Sequence, residues 1–165
     1  MRVFGVVGWK NNGKTTLVER LVAHLTAEGM RVSTVKHAHH EVDLDQPGKD
    51  TWRHREAGAE EVVLATARRW AVIHELRGAA EPSLDELLAR MTPVDLVLVE
   101  GFKRFPHPKL EVHRRERGTP LLAAEDPSIV GVASDEPLPA IALPQFQLDD
   151  IAAIARFVVE HAAER

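Results

Sequence analysis

An α/β fold in three layers, with a mainly parallel, partly mixed central sheet, is what this sequence predicts, and three observations carry the expectation. The first is Gly8-Trp9-Lys10-Asn11-Asn12-Gly13-Lys14-Thr15, a complete G-x-x-x-x-G-K-[ST] phosphate-binding loop. It follows the apolar run Val3–Val7 and precedes Leu17, Val18, Leu21, Val22 and Leu25 at helical spacing, which reads as strand, loop, helix. The second is the almost uninterrupted apolar run from Val94 to Val99, as expected for a strand covered on both faces. The third is the alternation of strand-like and helix-like segments along the chain. Together they predict one P-loop NTPase domain over residues 1–165.

Each element has its own signal. Gly29 marks the end of the first helix, and Arg31 to Val35 reads as a second strand. From Lys36 to Lys49 the chain is polar and carries Pro47-Gly48, a loop. Asp50 is placed to cap a short helix running to about Gly58. Val62 to Ala65 and Trp70 to Leu76 are separated by only a few residues, so they read as antiparallel neighbours and a mixed edge of the sheet. Ser83 and Glu86 spell a capping box ahead of Leu84, Leu87, Leu88 and Met91. Ile129 to Ala133 is a further buried strand, and Ile151, Ile154, Ala155 and Val158 give a closing helix from about Asp149.

Composition narrows the functions. The 165 residues carry a net charge of −4, which gives no global footprint for nucleic acid. The chain has no cysteine, which excludes disulfides, thiolate metal sites and a cysteine nucleophile. No apolar run approaches a membrane span, and the chain enters a strand without a signal-peptide pattern, so a soluble cytoplasmic protein is expected.

The loop sets the chemistry. Gly8 and Gly13 permit a tight turn whose backbone N–H groups point inward, Asn11, Asn12 and Thr16 complete the cradle, and Lys14 reaches the β- and γ-phosphates. Thr15 can ligate Mg²⁺ through its hydroxyl, which calls for a partner acid at the end of a neighbouring strand. Glu100 ends the Val94–Val99 run at the carboxyl side, where ligands bind in open α/β sheets. Asp95 starts that run, about 16 Å away at ~3.3 Å per residue, and is expected to be structural. Asp50 is a further metal candidate, and Lys36 an anion contact. Asp43 and Asp45 read equally as solvated loop acids. His37, His39 and His40 suit either a transition metal or hydrogen bonding around a substrate. Trp52-Arg53-His54-Arg55 and Arg68-Arg69-Trp70 are basic-aromatic clusters, read as solvated faces or as a surface for an anionic pterin or nucleotide partner. An Asn-Lys-x-Asp guanine motif is absent, since Asn11 and Asn12 are the only asparagines. Asp135 after the Ile129–Ala133 strand could accept the two guanine N–H groups, or be an ordinary turn aspartate.

The segments 8–17, Val35 to Asp50 (VKHAHHEVDLDQPGKD), Ala57-Gly58-Ala59 and Leu98 to Lys103 (LVEGFK) together resemble the MobB family, the GTP-binding proteins of molybdopterin-guanine dinucleotide biosynthesis. The His-His…Pro-Gly-Lys-Asp loop is the most specific part. Asn12 stands where a serine is common, and Glu41 where aspartate is expected. The resemblance implies a homodimer that binds GTP with Mg²⁺, hydrolyses it feebly at most, and assists a MobA-type guanylyltransferase that joins GMP to molybdopterin. More distantly the chain is similar to dethiobiotin synthetase and to nickel-insertion GTPases of hydrogenase and urease. A metal-insertion chaperone and a small-molecule kinase or ligase are therefore the alternatives. By analogy with that class, Thr15, Asp50 and Glu100 form the Mg²⁺ shell, and Lys36, His37, His39, His40 and Arg53 face a substrate or partner.

Overall fold

The computed structural model describes residues 1–38 and 44–165. It comprises two compact units, residues 1–37 with 91–165, and residues 38–90. The first unit opens with β1 (Arg2–Val7), α1 (Lys14–Ala27) and β2 (Val32–Lys36). The second contains α2 (Asp50–Glu56), β3 (Glu61–Ala65), β4 (Trp70–His74) and α3 (Leu84–Ala89). The first unit resumes with β5 (Leu96–Glu100), β6 (Lys109–His113), β7 (Ile129–Ser134), β8 (Gln145–Gln147), α4 (Ile151–His161) and β9 (Ala163–Glu164).

The central sheet runs β2-β5-β1-β6-β7-β8, every neighbouring pair parallel, with β9 antiparallel to the start of β1. The expected α/β architecture is present, but its mixed character comes from β9. The β3–β4 pair is antiparallel as predicted, yet it forms a separate two-stranded sheet instead of an edge of the main one. Its pattern gives the reason. Val62 is buried while Val63, Leu64, Trp70 and Val72 are exposed, whereas a strand of a helix-covered sheet would be buried on both faces.

Local chemistry sets the element ends. Ser83 and Glu86 form the predicted capping box, Glu86 Oε2 accepting from Ser83 N at 2.8 Å and Ser83 Oγ accepting from Glu86 N at 3.3 Å. Asp150 caps α4 by accepting from Ala153 N at 3.1 Å. Asp50 does not cap α2. Lys49 takes the cap position and Asp50 is the first helical residue, where its charge still suits the helix N-terminus. The cap is unnecessary because Asp45 organises the approach, accepting from Gln46 N at 3.0 Å and from Thr51 Oγ1 at 2.8 Å.

Parallel strands alternate their faces, and although apolar residues are buried on both, the main hydrophobic cluster lies on one. Phe4 and Val6 of β1, Leu96 and Leu98 of β5, and Leu110 and Val112 of β6 pack with Leu17, Leu21 and Leu25 of α1 and Ile154, Phe157 and Val158 of α4. Fully burying each such side chain is worth about 1.5–3 kcal/mol, so this cluster dominates the unit's stability. Strand β6 escapes sequence reading because its alternate residues, Lys109, Glu111 and His113, are polar and yet buried. Two of them are satisfied by specific partners, while His113 Nδ1 meets none among the described residues. Glu111 accepts from the backbone N–H groups of Leu122 and Ala123 at 3.0 and 2.8 Å, and Lys109 donates to Asp126 at 3.1 Å and to the Ser128 hydroxyl.

His107, just before β6, is fully buried over β1, in the space that a Cβ on Gly5 would need: such an atom would lie 2.4 Å from its Nε2. Neither ring nitrogen meets a hydrogen-bond partner among the described residues. Burial, followed by the charge of Lys109, pushes its pKa down to about 4. The folded protein therefore holds His107 neutral while the unfolded chain takes up a proton below about pH 6.5. Stability should fall as pH drops through that window, by up to about 3 kcal/mol from this group. Denaturant unfolding at a series of pH values between 7 and 4 checks this. A His107→Leu variant should show a shallower decline, and an equally steep decline in it would assign the effect to other groups.

Candidate functional site

The Gly8–Thr15 loop leaves β1 at the carboxyl end of the parallel sheet and runs directly into α1. Its backbone is positioned by β6. Gly8 has φ +147° and lies so close to that strand that a Cβ would sit 2.4 Å from the Val112 carbonyl oxygen. Asn12 is buried and donates from Nδ2 to the same oxygen at 3.2 Å. Gly13 takes φ +98° as the residue preceding α1, and Asn11 takes φ +66°. These left-handed conformations turn successive N–H groups toward one point, at a helix N-terminus whose first donors have no intrahelical partner. Trp9 fixes the outer arm of the loop by donating from Nε1 to Pro120 O at 2.7 Å, with the Lys103 ammonium 4.3 Å from its ring centre.

Lys14 folds back over the loop and donates to Trp9 O at 2.8 Å. Its pKa is lowered, chiefly by burial, and by the nearby charges of Lys103 and Lys36, while Glu100 opposes them. An anion held in the loop would favour the charged ammonium and oppose this lowering. Next to it, Thr15 Oγ1 donates to Glu100 Oε1 at 2.8 Å. Lys36, at the end of β2 and paired in register with Glu100, places its ammonium 3.4 Å from both of those oxygens. Register also sets Glu100 beside Val6 of β1, so the central strand and both its partners on that side deliver these groups to one place. A hydroxyl and a carboxylate oxygen this close form a hard-oxygen donor pair that fits Mg²⁺. Asp95 is at the other end of β5, held by Arg31 through Nη2 at 3.0 Å and the backbone N–H at 2.8 Å, as a structural acid.

The groups that the sequence singled out divide as follows. Asn11, Gly13, Lys14, Thr15 and Thr16 line a depression of about 370 Å³ together with Arg117. Lys36 belongs to β2 and not to the loop after it. His37 stacks on Phe102, ring centres 4.6 Å apart. His39, His40, Glu41 and Asp43 lie outside the described residues. Asp50 and Arg53 are exposed on α2 in the second unit. Arg55, expected to face a partner with Arg53, is instead committed within its own unit, to Asp45 at 3.3 Å and Glu75 at 2.6 Å. Asp45 is consequently not a solvated loop acid. Asp135 accepts from Arg115 N at 3.1 Å and lies 3.9 Å from Arg114 Nη1. Three cations at the loop were missed. Lys103 covers Trp9, the guanidinium of Arg114 comes within 3.6 Å of where a Gly13 Cβ would be, and Arg117 lines the depression. For Arg114 and Arg117 the sequence signal was the basic run Arg114-Arg115-Glu116-Arg117, uninterpretable without knowing that β6 precedes it, while Lys103 ended the Leu98–Lys103 motif with no role read for it.

Comparisons agree with this geometry. The sequence model of the family described as "MobB: Molybdopterin guanine dinucleotide synthesis protein B" matches residues 3–135. A Haemophilus influenzae protein named molybdopterin-guanine dinucleotide biosynthesis adapter protein is 44% identical over 138 residues, covering 82% of this chain and 76% of its own. An Escherichia coli protein of the same name is 39% identical over 155 residues, covering 92% and 88%. The crystal structure of a MobB protein homolog from Bacillus stearothermophilus superposes with a TM-score of 0.72 at 32% identity, covering 97% of each chain. The family model spans most of the chain and the curated relatives are more than 30% identical over most of it, so the chain belongs to the MobB family.

Proposed function

We propose that this protein is a GTP-binding adapter in molybdopterin-guanine dinucleotide biosynthesis, which holds GTP with Mg²⁺ and assists a MobA-type guanylyltransferase. The observation that carries the reading is the cluster of Lys14, Thr15, Lys36 and Glu100 at one end of the parallel sheet. Lys14 and the loop N–H groups take the triphosphate, and Thr15 and Glu100 take the metal, which when bound would neutralise phosphate charge. Asp135 is the guanine-reading acid, its carboxylate retaining acceptor capacity beyond the Arg115 N–H that it already holds. The names of the curated relatives support the pathway and the adapter role.

Slow turnover fits the same arrangement. Lys14, Lys36, Arg114 and Arg117 supply charge, but the loop lacks an evident residue to orient an attacking water. The exposed apolar face of the β3–β4 ribbon supports assembly as a homodimer. Val63 pairs with Val72 and Ala65 with Trp70, so these four share one face, with Trp70 67% exposed. An isolated two-stranded ribbon is marginal in water, and a second copy laid on that face would supply the missing burial.

Lys14→Ala should weaken GTP binding by about a hundredfold, since charge-assisted contacts to phosphate are lost, while leaving the thermal midpoint nearly unchanged. Unaltered affinity in calorimetry would remove the loop as the site. Glu100→Gln should abolish the Mg²⁺ dependence of GTP binding, whereas Asp95→Asn should leave it intact and lower stability instead. Equal loss of Mg²⁺ dependence in both would refute the assigned metal side of the sheet. The purified protein should turn over GTP on the order of 10⁻³ per second or slower, as expected without an engaged arginine finger. Several turnovers per second would favour a kinase or ligase.

A further inference from the structure

A second cavity, of about 690 Å³, lies in the first unit between the segments 103–106 and 125–128, with Val7, Lys109 and Leu122 in its wall. Its size falls in the range of small-molecule sites. Two residues join it to the phosphate loop. Val7 immediately precedes Gly8, and Lys103 lines the cavity while its ammonium covers the loop residue Trp9 at 4.3 Å. An occupant would therefore sit beside a nucleotide held in the loop.

The lining is mixed. The 103–104 segment contributes the cations Lys103 and Arg104, the 125–126 segment the acids Glu125 and Asp126, and Val7, Phe105 and Leu122 add apolar surface. Asp126 is committed to Lys109, whose side chain is only 1% exposed, at 3.1 Å, and to Ser128, and this pairing makes a rigid floor. Arg104 and Glu125, one on each of the two segments, are exposed. A molecule that matches has an anion at one end, a flat apolar body, and adjacent N–H donors at the other, because a carboxylate accepts two parallel donors. The 2-amino-4-oxo edge of a pterin or a guanine offers that pair of donors, and the 6-amino edge of adenine does not.

We propose that this cavity binds the phosphate ester of a 2-amino-4-oxo heteroaromatic ring, a pterin monophosphate in the first place, with Lys103 and Arg104 on the phosphate and Glu125 on the ring edge. It rests on the pathway reading above, which supplies a pterin phosphate as the companion of GTP, and it moves the pterin from the 36–55 segment to the 103–128 face. The juxtaposition lets one protein present both reactants to a partner enzyme.

The test uses neopterin monophosphate, an intrinsically fluorescent probe, titrated into the full chain saturated with Mg²⁺ and a non-hydrolysable GTP analogue. Binding of one equivalent is expected, and Arg104→Ala and Glu125→Gln should each weaken it about tenfold, the loss of one charge-assisted contact. Both side chains are exposed, so melting temperature and GTP-analogue affinity should stay at wild-type values. Displacement of the probe by GMP supports the shared edge as what is read, and resistance to GMP assigns the site to the pterin. Displacement by AMP as readily as by GMP, or wild-type probe affinity in both variants, overturns the proposal. If the GTP analogue binds and the probe does not, the cavity assignment falls and the nucleotide reading stands; if the analogue itself fails to bind, the pathway reading falls.

Discussion

The site depends on how closely the phosphate loop lies against β6. The Val112 carbonyl occupies space that any side chain at position 8 would need, and the same oxygen receives the Asn12 amide. One strand carbonyl thereby fixes both ends of the bend, and the bend aims the N–H groups between them. Without it the loop would be a flexible glycine turn, and ordering it would cost binding free energy at each encounter. The constraint also explains why β6 must be a central strand: only a strand paired on both sides is rigid enough to serve as a template.

Holding β6 there has its own requirement, because the strand carries Lys109, Glu111 and His113 into the interior. A buried charge without partners costs several kcal/mol, so the fold surrounds Lys109 and Glu111 with specific groups. Glu111 gathers the start of the short 122–124 helical turn, and Lys109 gathers the 126–128 turn. These links join β6 to the segments that wall the second cavity, so the strand that shapes the phosphate loop also shapes its neighbour. Replacing the strand's polar residues with valine would preserve its propensity and lose that connection.

Legibility in the sequence followed the physics of each element. The phosphate loop was readable because four fixed residues at fixed spacing carry a chemical requirement, and β5 because a strand covered on both faces is apolar throughout. Glu100 was found by its position at the strand end, and the capping box by its spelling. Strand β6 was invisible since Lys109, Glu111 and His113 imitate a solvated face. Strands β8 and β9 are three and two residues long, too short for any period to register. Placing β3–β4 at an edge of the main sheet failed because hairpin chemistry reports pairing and says nothing of which sheet a pair joins. Arg114 and Arg117 reach the loop only through the turn after β6, and the error there followed from the missing strand. Arg55 looked like a partner-facing cation, but its counter-charges, Asp45 and Glu75, are ten and twenty residues distant.

The Lys36 ammonium, 3.4 Å from both the Thr15 hydroxyl and the Glu100 carboxylate, gives the resting protein its own internal counter-ion. Any divalent ion drawn to those oxygens arrives as a replacement, so loading is an exchange of cations and not a simple addition. The released ammonium remains tethered at the end of β2, beside the incoming phosphates. On the proposed reading, a single lysine passes from screening the Thr15 and Glu100 oxygens to steadying phosphate once a divalent ion has displaced it.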